Sequence, residues 1–365
     1  MIIFKKIFMK KALIFTIVVL SCFQINAQTL TGMVYDKDTK QPILGVYVYL
    51  DGTSIVDVTD NSGKFTLAVK QMINTKLVLR HLGYHTLIIE EPFNNLPDTI
   101  YMEEQFTMLG EVFVQADPFS RRQRLRAFRE QFLGQTQAGN SCRIVNEDDI
   151  QIWFNVATKT LRASSDKPIE VINEYLGYRV FFTLVDFWVE YSSVTLNSNR
   201  MQRFYFEVTT LFADLRPDDA RIKRRRDDVY EESTRNFFKK FAYDPFFSSD
   251  ISDNPLFWVY ENGAQIDFNL YFTVKDTLSQ KIIYLSDTII EKENPDNSLL
   301  IINVSHRDIE NPHNRYLRYH SNISFFTPNL LVDQYGNIDK IDKVVFTGLM
   351  SLKRAGDMLP LDYEP

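Results

Sequence analysis

Five histidines, two cysteines and one dense arginine run are where this 365-residue chain could do chemistry. His81 and His85 are four residues apart in a stretch of strand character. On an unbroken strand they would share a face about 13 Å apart, too far for one metal ion, and Gly83 between them signals a bend. A zinc carboxypeptidase needs two imidazoles and a carboxylate at short spacing around one ion. None of the five histidines begins a His-x-x-Glu motif. His306, His313 and His320 are evenly spaced, with Asp308 and Glu310 nearby, but only a converging loop would gather them. They read as ordinary exposed or hydrogen-bonded histidines. Cys142 has one neighbour able to favour its thiolate, Arg143, and otherwise reads as a small buried hydrophobe.

The arginine run, Arg221 to Arg226, is flanked by Asp218, Asp219, Asp227, Asp228, Glu231 and Glu232. On a helix these acids pair with the bases four residues away, which leaves a solvated face with little net field. Arg121, Arg122, Arg124 and Arg126 read likewise as the wet side of an amphipathic connector helix. No Gly-x-Ser-x-Gly elbow and no phosphate-binding glycine loop occurs. Acidic residues are plentiful, so a carboxylate pair for glycoside hydrolysis stays open, because its defining separation exists only in the fold. No catalytic, metal-binding or cofactor-binding residue is assigned, and no cofactor is expected.

The elements that must position these residues begin after a leader. Lys5, Lys6, Lys10 and Lys11 precede an apolar run from Ala12 to Leu20, and Ile25-Asn26-Ala27 offers a small residue before Gln28. This order is that of a signal peptide over 1–27, with an apolar core shorter than a membrane-spanning helix. Cleavage after Ala27 leaves Cys142 as the one thiol. Cleavage before Cys22, in a degenerate lipoprotein box, would instead give a lipid anchor, and a retained signal anchor is the third alternative. The formal charge is −6, and losing four lysines with the leader takes it to −10. An acidic chain of this kind is not a general nucleic-acid binder.

Aromatic residues make up 14% of the chain, with 29 Phe and 18 Tyr against 13 Gly, which favours pleated, half-buried surfaces. From 30 to 103 apolar and polar residues alternate with period two, as in Val46-Tyr47-Val48-Tyr49-Leu50 and Phe65-Thr66-Leu67-Ala68-Val69. Asp60-Asn61-Ser62-Gly63 fits a type I turn. The period becomes helical over 119–133, with Ser120 able to cap the start and Gly134 the end. Strands are expected at 150–154, 160–163, 169–172, 179–184 and 203–208. A helical stretch follows at 217–241, and short strands at 256–352.

Five segments together carry a resemblance. They are Gly32-Met33-Val34-Tyr35-Asp36, Pro42-Ile43-Leu44-Gly45-Val46, Leu50-Asp51-Gly52-Thr53, Thr59-Asp60-Asn61-Ser62-Gly63-Lys64-Phe65 and Leu82-Gly83-Tyr84. In order and spacing they resemble the carboxypeptidase regulatory-like domain, which implies a prealbumin-like sandwich of seven strands. That family is common in Bacteroidota envelope proteins, often at the N-terminus of TonB-linked outer-membrane receptors. Leu109-Gly110-Glu111-Val112-Phe113-Val114 is similar to the segment leaving the domain there. Further on, Leu176-Gly177-Tyr178-Arg179-Val180, Leu184-Val185-Asp186-Phe187 and Leu359-Pro360-Leu361-Asp362-Tyr363 resemble an uncharacterised group of exported Bacteroidota proteins. That group brings no activity with it. Glu231-Glu232 departs from its pattern, which weakens any fixed role for Tyr230 or Ser233.

The expected architecture is mainly β: a signal peptide at 1–27, a prealbumin-like sandwich at 28–104, a linker and connector helix at 105–134, and a larger β-rich, α+β domain at 135–365. The expected function is a non-enzymatic binding or structural module of the cell envelope, periplasmic or associated with the outer membrane. Its partner would be a protein or a glycan, met through exposed aromatic stripes, and nucleic acid is not expected. The alternative is an envelope hydrolase acting on polysaccharide or peptide from a pocket in the C-terminal domain. A transmembrane barrel fits poorly, because the chain is too short for a 22-stranded transporter and its last residues, Tyr363-Glu364-Pro365, suit a barrel strand badly.

Overall fold

The computed structural model describes residues 28–105, 117–244, 257–261, 264–265, 271–277, 279–287, 299–303 and 320–365. The leader with Cys22, the 109–114 segment, His306 and His313 lie outside them.

Seven short strands form the N-terminal sandwich: β1 (Gln28–Asp36), β2 (Tyr47–Leu50), β3 (Val56–Val58), β4 (Lys64–Val69), β5 (Leu77–Arg80), β6 (Leu87–Ile89) and β7 (Thr99–Met102). One sheet has the order β4-β1-β7 and the other β3-β2-β5-β6. The period-two pattern is realised directly, since Phe65, Leu67 and Val69 are buried while Lys64, Thr66 and Ala68 are exposed. The first of these sheets contributes Val34, Phe65 and Ile100 to the core, and the second contributes Val48, Leu50 and Leu79. The Asp60 turn closes as its chemistry predicts. Its carboxylate accepts the amides of Ser62 and Lys64 at 2.8 and 3.0 Å, and Gly63 takes a positive φ of 76°.

Helix α1 (Arg121–Leu133) has a capping box between Ser120 and Gln123, and ends at Gly134 with φ 87°. It lays Phe128 and Phe132 onto a six-stranded antiparallel sheet. The axis of that sheet is a long hairpin of β12 (Tyr178–Tyr191) and β13 (Met201–Asp214). One end of β12 pairs with β11 (Ile169–Asn173), which pairs with β8 (Cys142–Ile144). Its other end pairs with β10 (Thr160–Ser164), which pairs with β9 (Gln151–Asn155). A bulge between Leu184 and Asp186 leaves Val185 unpaired. The bulge also switches the buried set on β12 from even positions such as Val180 and Phe182 to odd ones such as Phe187 and Val189. Both halves of the hairpin therefore turn their apolar side to α1; on the opposite side the sandwich covers Thr209, which Tyr49 bonds at 3.2 Å, and the half holding Trp188 and Tyr205 faces water.

The helical stretch expected at 217–241 is two helices, α2 (Ala220–Glu231) and α3 (Thr234–Tyr243). Ser233 breaks it with an extended backbone, and its hydroxyl caps the Asn236 amide. On α3, Phe237, Phe238 and Phe241 enter a second core with Phe272, Ile283, Phe325 and Leu330. This core is covered by a sheet of β16 (Phe272–Asp276), β17 (Lys281–Leu285) and β20 (Asn329–Val332). A further sheet is built from β14 (Phe257–Glu261), β15 (Ala264–Gln265), β18 (Leu299–Asn303), β19 (His320–Phe325) and β21 (Val344–Gly348), in the order β15-β14-β18-β19-β21.

The sandwich is bonded to this larger unit. The Gly52 amide donates to Thr210 O at 2.8 Å, the Phe212 amide donates to Thr53 O at 2.9 Å, and Thr53 forms a parallel bridge with Leu211. The turn after β2 thus adds a fragment of strand to the free edge of β13. Asn74 in turn donates through its own amide to Asp333 at 2.9 Å, and Tyr335 is buried among the residues of the sandwich core. A terminal strap closes the joint. Gly356 packs on Gly139, Asn173 donates to Gly356 O at 2.8 Å, the Leu361 amide donates to Gly52 O at 2.7 Å, and Arg235 binds Pro360 O.

Candidate functional site

The wet side of the six-stranded sheet carries the best-built surface among the described residues. Register brings four side chains into line across four adjacent strands. Trp153 on β9 lies opposite Arg162 on β10, Arg162 opposite Trp188 on β12, and Trp188 opposite Tyr205 on β13. The pleat forces this placement, because their sequence neighbours Ile152, Phe154, Leu161, Ala163, Phe187 and Val189 are buried on the α1 side. Trp153 and Tyr205 each keep 41% of their surface in water. The Trp188 and Tyr205 rings lie 5.8 Å apart and within 24° of parallel.

Polar side chains frame the row and pair among themselves. Arg203 donates to Glu190 at 2.7 Å and holds its guanidinium 5.9 Å from the Trp188 ring centre. Arg162 meets Asp186 at 3.7 Å. Tyr205 donates to Glu207 at 2.9 Å, and that hydrogen bond, followed by burial, pushes its phenol above the usual value. Around the row, two guanidinium groups and three carboxylates therefore nearly cancel. Asp186 and Glu207 stand directly opposite each other across β12 and β13. They form a facing carboxylate pair, but on an open sheet face, where water screens both.

The residues singled out for chemistry lie elsewhere. His81 and His85 fall in the turn between β5 and β6, where Gly83 has φ 91° and His81 packs edge-on against Tyr84 at 5.2 Å. His320 opens β19. Among the described residues, no three His, Cys, Asp or Glu side chains gather closely enough to hold a metal ion. Burial, followed by the Asp357 charge, pushes the Cys142 thiol up to about 12, and the thiol donates to Ala138 O at 3.3 Å. Its thiolate is scarce at neutral pH.

The arginine-rich segments differ in part from their expected solvated faces. Lys223 pairs with Asp227 at 3.0 Å along α2 as expected. Arg226, however, is buried: it makes two 2.7 Å bonds to Asp214, donates to Leu176 O, and lies 3.9 Å from the Tyr178 ring centre. It ties α2 to the end of the long hairpin. On α1, Arg121 donates to Ile150 O and Glu147 O, and Arg124 pairs with Asp117, so both serve to hold the helix on β9. The Tyr230 hydroxyl donates to Tyr335 O at 3.4 Å, and Ser233 is a helix cap; both roles are architectural.

Three carboxyls are pushed up by burial: Asp51, to about 6, and Asp333 and Asp357. Each is engaged in a joint. Asp51 accepts the Thr210 amide at 2.6 Å, Asp333 accepts amides of Asn74, Tyr335 and Asn337, and Asp357 accepts the Arg354 amide. Of the aromatic row, Trp153 and Tyr205 fall on strands legible in the sequence, but Trp188 lies beyond the expected strand end at 184. The signal that could have found it is the renewed alternation in Phe187-Trp188-Val189-Glu190-Tyr191.

Among the described residues no helix is long and apolar enough to cross a membrane. Residues 30–114 match the CarboxypepD_reg-like domain, so the N-terminal sandwich is a carboxypeptidase regulatory-like domain. No curated protein matches the chain. Among solved structures, a 9R-lipoxygenase from Cyanothece PCC8801 is similar over 60% of this chain at 12% identity, with a TM-score of 0.16. The chain spans 47% of that protein's length, and a likeness so slight carries no argument about fold or activity.

Proposed function

With a carboxypeptidase regulatory-like domain as its N-terminal module, we propose that this protein is a non-catalytic binding component of the cell envelope. It meets its partner through the outer face of the six-stranded sheet. The observation that carries the reading is the in-register row of Trp153, Arg162, Trp188 and Tyr205. Large rings left in water in line, on a rigid sheet, are what a contact surface needs and what a solvated face does not. The sandwich docks at Thr209 to Phe212, with Tyr49 bonded to Thr209 at 3.2 Å, four or more residues along β13 from Tyr205, which keeps 41% of its surface in water. The leader of basic residues followed by an apolar run supports export. The lipid anchor at Cys22 and cleavage after Ala27 give the same envelope address.

The test is co-sedimentation of purified protein with washed envelope fragments, comparing the native chain with the double variant Trp153→Ala, Trp188→Ala. Circular dichroism and thermal melting would confirm that the variant folds. The native chain should pellet with the fragments and the variant should stay in the supernatant. Equal pelleting of both would refute the aromatic face as the contact surface.

A further inference from the structure

We propose that the aromatic row is a binding site for a neutral, extended polysaccharide lying across the strands. This deepens the envelope-binding reading and rests on it. Strands are about 4.8 Å apart, so the row offers a ring or a guanidinium at about 0, 5, 10 and 14 Å. That interval is close to the advance of one pyranose unit along an extended glycan, so successive sugars would meet successive side chains. An aromatic ring takes the C–H face of a sugar, and Arg162, between two rings in the row, offers a planar fork of donors to hydroxyls.

Charge decides between this ligand and its rivals. Arg203 is held by Glu190 and Arg162 by Asp186, while Glu207 is bonded to Tyr205. Both guanidinium groups in and beside the row are thus paired, and the unpaired Arg143 lies on β8, at the far side of the sheet from Tyr205, which sets a phosphate or uronate at the row at a disadvantage. A protein partner would have to strip water from the Asp186 carboxylate beside Arg162 at the middle of the contact, where interfaces are depleted of acidic residues. Sugar hydroxyls donate and accept at once, so they replace that water on both ions without leaving either one unpaired.

The experiment is affinity electrophoresis of the full chain through gels holding a neutral linear glucan, a neutral galactomannan or, as the acidic comparison, polygalacturonate. Tryptophan emission would be followed in parallel. A neutral polysaccharide should retard the native chain and shift its emission. Trp188→Ala should weaken retardation by about tenfold or more, and Tyr205→Phe, which keeps the ring, by less than about threefold. Retardation by polygalacturonate equal to or stronger than by the neutral chains would overturn the proposal. So would the absence of any retardation. If envelope co-sedimentation still depended on Trp153 and Trp188 in that case, the binding face would stand with a different partner. If co-sedimentation were also indifferent to them, the face itself would fall.

Discussion

Replacing Asp51 by asparagine should make the protein more stable at neutral pH, although it removes a charge that is hydrogen-bonded in the native state. Asp51 sits where the sandwich meets β13 and accepts the Thr210 amide at 2.6 Å. Burial pushes its carboxyl from 3.8 to about 6, against the opposing pull of the Thr210 amide and the Lys76 ammonium. The folded chain therefore keeps a proton between pH 4 and 6 that the unfolded chain has already released. Stability falls as pH rises through that window and is flat above it. The gap between 3.8 and about 6 corresponds to about 3 kcal/mol, and water reaching the partly exposed residue reduces it to about 2 kcal/mol. In the Asp51→Asn variant the side-chain amide oxygen still accepts from Thr210 but is never charged. Urea unfolding of both proteins from pH 4 to 7.5 should give matching stabilities at the acid end. The variant should lead by about 2 kcal/mol at pH 7. Hydrogen–deuterium exchange of the peptide holding Thr209 to Phe212 should slow to match. A difference that stays constant across the range would refute the reasoning. A variant weaker at every pH would do so too, by showing that the charge-assisted hydrogen bond from the Thr210 amide outweighs burial.

Three further outcomes are expected. Asp214→Ala strands the buried Arg226 guanidinium and should cost about 3 kcal/mol or more in urea unfolding, whereas the exposed pair that Lys37 and Glu103 make at 3.1 Å across the sandwich surface should be worth under about 1 kcal/mol when Glu103 is changed to Gln. Gly52→Ala places a Cβ 2.8 Å from the Leu361 side chain at φ 74°, so it should destabilise by about 1–2 kcal/mol and raise exchange at Thr210. Cys142 should react with iodoacetamide at pH 7.5 at least about a hundredfold more slowly in the native protein than in urea, since its thiolate is suppressed; similar rates would contradict the buried thiol.

The sandwich was legible because its signals are local. Asp60 and Gly63 announce a turn, and Phe65 to Val69 announce a strand, without help from distant residues. Ser120 and Gly134 marked α1 for the same reason. The long hairpin was only half legible. A bulge at Val185 reverses which positions face inward, so an alternation read from Tyr178 stops making sense at 184 and the strand looks finished. Arg226 shows the opposite failure. In a charge run it looks like its solvated neighbours, and only the arrival of Asp214 and Tyr178 from another element reveals its burial. The binding face was hidden for a third reason. Trp153, Arg162, Trp188 and Tyr205 are scattered over 53 positions and become a row only through three separate strand registers.

The strap that brings Leu361 to Gly52 joins positions 309 residues apart. Ordering so large a loop costs entropy before any contact across it repays the loss, and chains rich in such contacts acquire their final form slowly. The sandwich edge at Gly52 and the groove beside Gly139 therefore stay uncovered until the far segment arrives. A fragment cut between the two modules would keep the sandwich edge at Gly52, and the edge of β13 it covers, exposed for good. Dissecting this molecule at its linker should therefore yield pieces that are sticky rather than independent.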